Sequence, residues 1–532
     1  MRARTITASA PVGVVVAAEV GVLALLVVLA ALRVPVSWPV IVGLVLLAAV
    51  LAVVRIHRDT LLGWLPVLWR SRRRPDVAAL LPLATDVRRG DMVFGVQRDD
   101  KFATAVVEIC GEPYSPTVLS APGVSTTPNV VPVQVLADQL IQPGPLVLAG
   151  IDIVSDGARV RRAPGYPPVY STSLKDSPAA AKRKTYAVVR LDITASIQGL
   201  RLRPTVEDAV AAAAERLICA LRQVNCRAEP LSSDAVDALV SKLGGAVLTG
   251  AATSRLRHIE HAGTFWSCYT YSAEDITSRN LNDVWSWRVD AAVTTVTLRP
   301  GPDGSVQVSA LVRTETPQAP TLAPTVYLNP LPGYQVPAAM SVVPGAPRLA
   351  GLPAADLATV GELFIPVGPS GILVGALREA DGRSLPVLLP MFDPARSTRI
   401  RVLDTQMPLV WQYLLRMAAG DHPVSVYTDT PQRWTGLSDP LIEIHHSRNA
   451  TPKLAPTIVV KDRIDGWPQA SAPTILSLES DGSYPKRLTP DLKITQPDPR
   501  HVTITKSGHQ GFEVTLSTVT FNDETPYLKA AR

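Results

Sequence analysis

The chain has 532 residues, of which 52 are Lys or Arg and 46 are Asp or Glu, so its formal net charge is +6. Nine Arg residues and two acidic residues lie in residues 1–74, which leaves 43 basic and 44 acidic residues in the remainder. A remainder so close to neutral excludes the basic footprint of a nucleic-acid-binding protein. The four cysteines form no paired Cys-x-x-Cys motif, which indicates free thiols in a reducing compartment.

Residues 12–32 and 38–54 are two apolar runs joined by a five-residue link. About 20 apolar residues in a helix cross the roughly 30 Å core of a bilayer, where every peptide group must be paired. Residues 1–75 are therefore predicted to form a two-helix transmembrane hairpin with a basic juxtamembrane segment that meets membrane lipids. Arg residues flank both outer ends, which predicts a multi-pass protein of the inner (plasma) membrane with both termini and the later domains cytoplasmic. A cleaved signal peptide is the alternative for the first run.

Small residues recur at every fourth position of the first run, at Gly13, Ala17 and Gly21. Such a ridge lets another helix approach closely, and we expect it to pack on the second helix. Glu19 points away from this ridge by the 3.6-residue period. Because an intramembrane carboxylate is costly, we expect Glu19 to hydrogen-bond to a neighbouring subunit. The alternative is a neutral Glu19 that the apolar helix simply tolerates.

Residues 76–315 are predicted to be a mixed α/β domain. Alternating apolar residues indicate strands, for example at residues 103–109 and 186–197. The sequence Thr-Val-Glu-Asp from Thr205 predicts a capped helix that extends to about Asn225. A second helix is predicted from Ser232 or Ser233 to the Gly244-Gly245 pair, and residues 300–304 are predicted to connect two strands as a hairpin.

The rest of the chain divides into three predicted regions. Residues 316–353 carry nine prolines with little periodicity, which predicts an extended linker or a strap across the surface. Residues 354–437 are predicted to be a small α/β region and residues 438–532 a mostly β extension. The predicted fold class is thus a two-helix transmembrane hairpin followed by mixed α/β cytoplasmic domains, with a C-terminal part that is mostly β.

The sequence shows no recognisable catalytic signature. The Gly368 to Gly371 stretch lacks the Lys of a phosphate-binding loop and contains Pro369 where an amide is required. Glu443, His445 and His446 are the densest metal-type cluster, but on a strand His446 points away from the other two. We therefore predict no catalytic, cofactor-binding or metal-binding residues.

Several motifs follow the apolar segment in a fixed order. They are Gly-Asp-Met-Val-Phe-Gly-Val at residues 90–96, Val-Val-Glu-Ile-Cys-Gly-Glu-Pro-Tyr-Ser-Pro-Thr-Val-Leu at residues 106–119, Ile-Pro-Val-Gly-Pro-Ser-Gly at residues 365–371, and Val-Ser-Val-Tyr-Thr-Asp-Thr-Pro-Gln-Arg-Trp at residues 424–434. Together they resemble the EccE component of mycobacterial type VII (ESX) secretion systems, to about residue 437.

That resemblance implies a non-catalytic, structural subunit of an inner-membrane protein secretion complex. The implied partners are EccB, the ATPase EccC and the multi-span EccD, and the resemblance carries over no catalytic residues. The alternative is a membrane-anchored, glycosyltransferase-like enzyme at the cytoplasmic face. Such an enzyme usually holds a metal and a diphosphate with Asp-x-Asp, and neither Asp99-Asp100 nor Asp152 with Asp156 has that spacing.

Overall fold

The computed structural model of the chain describes residues 6–8, 16, 19–24, 27, 37–56, 59–60, 64, 81–121, 123–162, 165–464, 466–479, 489–508 and 511–531. The strands in chain order are β1 Ile6–Ala8, β2 Val54–Ile56, β3 Asp59–Thr60, β4 Thr85–Arg89, β5 Met92–Arg98, β6 Phe102–Ile109, β7 Thr117–Ala121, β8 Val124–Thr126, β9 Val130–Pro132, β10 Leu148–Ala158, β11 Lys182–Asp192, β12 Ala228–Pro230, β13 Thr253–Ser254, β14 Ile259–His261, β15 Thr264–Tyr271, β16 Ala291–Pro300, β17 Val306–Thr316, β18 Leu328–Pro330, β19 Ala355–Asp356, β20 Phe364–Pro366, β21 Ile372–Arg378, β22 Ser384–Leu389, β23 Thr398–Leu403, β24 Val424–Thr428, β25 Ile442–His445, β26 Ile458–Asp462, β27 Thr474–Glu479, β28 Leu492–Asp498, β29 His501–Lys506 and β30 Phe512–Ser517. The α-helices are α1 Trp38–Val53, α2 Val133–Asp138, α3 Tyr166–Leu174, α4 Ile197–Leu200, α5 Val206–Gln223, α6 Ser233–Leu248, α7 Ser278–Asp283, α8 Gln335–Met340, α9 Leu357–Val360, α10 Met407–Ala419 and α11 Thr525–Leu528.

The apolar N-terminal region contains one helix, α1, whose full length is described. It begins after Ser37 with a proline in its first turn and ends at Val53, where Val54 is extended. Sixteen residues at about 1.5 Å each reach about 24 Å, less than the roughly 30 Å of a hydrocarbon core. Directly after the helix, β2 pairs antiparallel with both β1 and β3.

The predicted fold class is wrong on this point. Within the described residues, no helix combines the length and the apolar character needed to cross a membrane. The two-helix transmembrane hairpin and the multi-pass localisation are therefore not supported. The second apolar run forms a helix of only 16 residues, and most of the first run lies outside the described residues. The structure is instead dominated by two large sheets with few helices.

The first sheet has 13 strands, all antiparallel, among the described residues. Its main path runs β13-β14-β15-β17-β16-β10-β11-β6-β5-β4, and β12, β18 and β19 pair with β6, β15 and β17. Helix α5 packs on one face because its alanine-rich side allows close approach to the strands. Helices α6 and α8 cover the opposite face. Burial on both faces explains why the central strands are apolar on both sides.

The second sheet contains 12 described strands, and its strands are parallel in one half and antiparallel in the other. Strands β25-β24-β26-β27-β23-β28 are parallel neighbours, and β28-β29-β30-β21-β22-β7-β8 continue the sheet antiparallel. Helices α10 and α3 pack on one face around the fully buried Trp411. Strands β26 to β30 come from the last 75 residues and occupy much of the middle of this sheet. Residues 354–437 and 438–532 therefore share one sheet.

The chain passes between the two sheets repeatedly. The β7–β8 hairpin lies between β6 and β10 in sequence, yet it pairs with β22 of the second sheet. Helix α3 lies between β10 and β11 of the first sheet and packs against α10 of the second. The proline-rich residues 316–353 include β18 and α8, and Arg348 binds the carboxylate of Asp152 on β10. This region is thus packed on the first sheet over much of its length.

Candidate functional site: the junction between the two sheets

The junction between the sheets begins at the loop after β6. Gly111 has a φ of +61°, which favours glycine, and a Cβ there would lie 2.1 Å from Oδ1 of Asn129. That same oxygen accepts a hydrogen bond from the Glu112 amide at 3.0 Å. Glycine is therefore required where the chain leaves the first sheet.

Asn129 links this loop to the Ile-Pro-Val-Gly-Pro-Ser-Gly motif. Its Nδ2 donates to the carbonyl oxygens of Glu112 and Val367, each at 3.3 Å. Its carbonyl accepts from the Val367 amide at 2.9 Å. Two motifs that lie some 250 residues apart in sequence therefore meet on one asparagine side chain.

The same motif also contacts the start of β11. The Ser370 amide donates to the Ala180 carbonyl at 2.8 Å, and the Ala180 amide donates to Ser370 Oγ at 3.2 Å. Nε of the buried Arg183 donates to the Gly368 carbonyl, and its guanidinium lies 5.0 Å from the Trp285 ring centroid. The glycine-rich stretch is thus a packed crossing between the sheets.

Tyr114 extends the junction into the second sheet. Its hydroxyl lies 2.8 Å from Thr398 Oγ1, and burial raises the pKa of this tyrosine to about 12. The Asp393 amide donates to the same Thr398 oxygen at 2.9 Å. A buried, protonated phenol in this position acts as a cross-link between chain segments.

An ion pair spans the junction beside Tyr114. The two Nη atoms of Arg227 contact the two carboxylate oxygens of Asp393 at 3.0 and 2.9 Å. Burial alone would raise the pKa of Asp393, but the hydrogen bonds from Arg227 hold it below its ordinary value. This bidentate geometry fixes orientation as well as distance. Lys506 on β29 adds a second bridge to Glu112 at 2.5 Å.

The C-terminal segment is held by a buried carboxylate, Glu524. It accepts from Arg416 Nε and Nη2 at 2.9 and 2.8 Å, from Gln412 at 2.7 Å and from the Tyr166 hydroxyl at 2.8 Å. Burial opposes both charges, yet their mutual attraction lowers the pKa of Glu524 and raises that of Arg416. Helices α3 and α10 and the chain end therefore meet at one group.

The motif at residues 424–434 closes around Asp462. Oδ2 of this buried carboxylate accepts from Thr428 Oγ1 at 2.9 Å and from Trp434 Nε1 at 2.7 Å. Its Oδ1 accepts from Arg433 at 2.5 Å. Carboxyl ends of parallel strands often bind ligands. Here the Asp462 carboxylate binds the chain's own side chains.

Of Glu443, His445 and His446, which the sequence did not predict to bind a metal, the first two lie together, with His445 Nε2 3.5 Å from Glu443 Oε2. The Glu443 carboxylate accepts from the amides of Lys453 and Leu454 at 3.0 and 3.1 Å. The His445 ring lies against Tyr427, and burial lowers its pKa. Among the described residues, no group of three or more His, Cys, Asp or Glu side chains could hold a metal ion.

The four residues predicted as intramembrane helix contacts are only partly described. Gly13 and Ala17 lie outside the described residues. Glu19 and Gly21 belong to the helical residues 19–24, and both are exposed. A Cβ added to Gly21 would meet no described heavy atom within 4 Å. A role for these four residues in helix contacts stays a prediction.

Sequence reasoning missed Asn129, Asp393, Asp462 and the Arg416–Glu524 pair. One of these carried a readable signal, because Arg416 is the one charged residue in the mostly apolar helix α10. A charge in such a position is buried only when it is paired. The identity of its partner, 108 residues away, carries no local signal.

These contacts define a class of protein in which two large, mainly β sheets are joined by several chain crossings and by buried polar side chains. Residues 179–271, from the approach to β11 through the end of β15, match a family model described as "Putative type VII ESX secretion system translocon, EccE". This match covers β11 to β15 of the first sheet, together with α5 and α6 on its two faces.

Comparisons with individual relatives agree with the family model. The chain is 27% identical over 431 residues to the ESX-2 secretion system protein EccE2 of Mycobacterium tuberculosis, covering 80% of this chain and 76% of the relative. It is 26% identical to the ESX-1 protein EccE1 of the same species, covering 73% and 77%. It is 28% identical to the ESX-5 protein EccE5 of Mycobacterium marinum, covering 46% and 63%. The predicted resemblance to the EccE family of type VII (ESX) secretion systems is confirmed by these comparisons.

Proposed function

We propose that this protein is a non-catalytic, structural subunit of a type VII secretion complex. The observation that carries this proposal is the use made of the motif residues. Gly111 leaves room for the Asn129 side chain, and Ser370, Thr428 and Trp434 direct their polar atoms to other parts of the same chain. A motif of this kind supports a fixed shape, whereas a catalytic motif presents reactive groups to a substrate.

The buried carboxylates support the same proposal. Asp152, Asp393, Asp462 and Glu524 each form an ion pair with an arginine of the chain. A general acid or base must exchange protons near neutral pH and reach its substrate. Hydrogen bonds and charge from arginine hold the pKa values of Asp393 and Glu524 below their ordinary range, so these two do not exchange protons near neutral pH. These four groups therefore serve the fold.

The proposed partners are EccB, the ATPase EccC and EccD. A chain whose two sheets are held in one arrangement can present several surfaces to such partners at constant spacing. We expect affinity-tagged protein, extracted in mild detergent, to co-elute with these three components when the eluate is identified by mass spectrometry.

Two variants separate the structural function from an enzymatic one. Gly111→Val displaces Asn129 at the junction, so we expect it to reduce co-elution and secretion together. His445→Ala with His446→Ala alters the polar cluster that most resembles a reactive site, so we expect secretion to continue. Loss of secretion in the double His variant, with its partners still bound, would refute the structural assignment in favour of chemistry.

A further inference from the structure

Two loops of the first sheet lie side by side at one end of β10. One connects α2 to β10, and the other connects β11 to α5 and contains α4. The Val147 amide of the first loop donates to Ser196 Oγ of the second at 2.8 Å. A Cβ added to Gly199 would lie 2.7 Å from the Pro145 carbonyl oxygen, so the two backbones are in close contact there.

These loops expose large aliphatic side chains. Ile141 and Val147 pair with each other as an antiparallel bridge, which places their side chains on the same side of the first loop. The Leu202 amide donates to the Gly199 carbonyl at 3.4 Å, so Leu202 lies one turn from the contact between the loops. We call four side chains the aliphatic surface: Ile141, Val147, Ile197 and Leu202, which are 84%, 40%, 51% and 80% exposed.

Two arginines stand on either side of Leu202 in the sequence. Arg201 and Arg203 are the only charged residues of the two loops, and neither forms an ion pair within the part of the chain that the structure describes. Asp138 and Asp192 directly precede the loops. The β5–β6 turn, whose charges are two aspartates and a lysine, contacts the beginning of the second loop. Acidic groups therefore border the aliphatic surface where the loops begin, and the arginines lie at its α5 end.

A third arginine, Arg216 on α5, lies close to Arg203. Burial lowers the pKa of Arg216, and the nearby charges of Arg203 and Arg89 lower it further. Its Nε and Nη2 atoms are shielded from water and have no hydrogen-bond acceptor among the described residues. These two atoms form the side of a guanidinium that binds two oxygens of a carboxylate or a phosphate. The carboxylates of α5 are engaged by other arginines: Glu207 binds Arg98, and Asp208 and Glu215 bind Arg89.

Helix α1 gives an independent reason to expect a bilayer near these loops. The consecutive residues Val45, Leu46 and Leu47 are all exposed. Because consecutive residues of a helix point about 100° apart, α1 exposes apolar side chains in all directions. A helix of this kind requires apolar surroundings, which a bilayer supplies. The chain from Val53 at the end of α1 to Thr85 at the start of β4 reaches at most about 110 Å, so the first sheet stays close to the surface that receives α1.

We propose that the aliphatic surface binds the face of a phospholipid bilayer, with its side chains among the acyl chains and with Arg203 and Arg216 on a lipid phosphate. Every CH₂ group that enters hydrocarbon favours binding, and a phosphate supplies the acceptor oxygens that these arginines lack. A protein partner fits less well, because leucine and valine are under-represented among the residues that dominate protein interfaces and the two loops contain no aromatic residue. This inference does not depend on the structural function proposed above.

The test uses the full chain reconstituted in phosphatidylglycerol vesicles, with the exposed Cys219 replaced by serine. A fluorophore is attached through Gln198→Cys, next to Ile197 on α4. The matched reporter is Gln318→Cys, which is equally exposed. Gln318 follows β17 at the far end of β10, because β17 pairs with the beginning of β16 and that segment pairs with the end of β10. We expect phospholipid with brominated acyl chains to quench the fluorophore at position 198 and to leave the one at position 318 unquenched.

Replacing the arginines tests the phosphate contact. Arg203→Gln with Arg216→Met should reduce the quenching at position 198 by about threefold or more, and Arg203→Gln alone, which leaves α5 intact, should reduce it in the same direction. Arg257→Gln with Arg279→Gln removes the same charge from two exposed arginines elsewhere on the first sheet, so quenching should persist. Equal quenching at the two reporter positions, or quenching that survives the Arg203 and Arg216 replacements, would overturn the proposal. A spectral change that requires another secretion component, without quenching by brominated lipid, would assign the surface to a protein partner instead.

Discussion

Removing the carboxylate of Glu524 should destabilise the second sheet strongly. The replacement Glu524→Gln keeps the size of the side chain but leaves the Arg416 guanidinium, whose side chain is 1% exposed, without a counter-charge. Removing one member of a buried pair costs about 3–5 kcal/mol. That is a large part of the about 5–15 kcal/mol by which a domain is stable.

The hydrogen bonds of Glu524 explain why the loss of stability should lie near the upper end of this range of about 3–5 kcal/mol. Glu524 accepts two hydrogen bonds from Arg416 and one each from Gln412 and Tyr166. A glutamine offers one acceptor oxygen, and its NH₂ group would face donors. Two or more buried donors would therefore lose their partner, at about 1–3 kcal/mol each.

The assay is guanidinium unfolding of the detergent-solubilised full chain, followed by tryptophan fluorescence. Trp411 and Trp434 are both buried in the second sheet and report on it. Asp381→Asn, which breaks an exposed pair with Arg383, is the matched control and should leave the midpoint unchanged. A Glu524→Gln midpoint equal to that of the control would refute the reasoning.

A second outcome checks the cause of the loss. The double replacement Arg416→Met with Glu524→Leu leaves no buried charge, so it should cost less than Glu524→Gln alone. If the double variant is instead the less stable of the two, the hydrogen bonds from Gln412 and Tyr166 matter more than the buried charge.

Three further predictions follow from other contacts. Truncation after Leu437 removes β26 to β30 from the middle of the second sheet, so limited proteolysis should find that sheet unfolded; a protease-resistant truncated product would contradict this. Burial lowers the pKa of His422 to about 4, from about 6.5 when unfolded. Protonation of His422 therefore leaves the free energy of unfolding unchanged above pH 6.5 and lowers it by about 3 kcal/mol as the pH falls to 4. His422→Gln should remove this part of the acid sensitivity in unfolding curves measured at pH 7 and pH 4.5. Gly111→Val should lower the thermal midpoint by several degrees, since it meets Asn129, whereas Gly304→Ala, with open space around it, should cost much less.

Local signals in the sequence predicted local structure well. The expected cap at Thr205 is present, because its hydroxyl accepts from the Asp208 amide at 3.0 Å and α5 extends to Gln223. The predicted hairpin at residues 300–304 joins β16 and β17. Both features depend on residues that are neighbours in sequence, where capping and turn preferences act directly.

The arrangement of strands could not be predicted in the same way. Apolar alternation identifies a strand but does not say which strand lies beside it. β23 pairs in parallel with β27 and β28, which follow some 75 to 90 residues later. Because parallel strands are not joined by a hairpin turn, the local sequence does not predict this pairing.

The repeated crossings also constrain how this chain can fold. β23 stays unpaired on both sides until β27 and β28 are available, and α3 obtains its Tyr166 contact only when Glu524 arrives near the chain end. Contacts so distant in sequence are costly to form, because a long loop must close before they contribute. The second sheet therefore reaches its final form only when the C-terminal residues are in place. Because the β7–β8 hairpin and α3 extend from the first sheet into this structure, the C-terminal residues also stabilise contacts made by the first half of the chain. This coupling means that damage to either sheet is transmitted to the other.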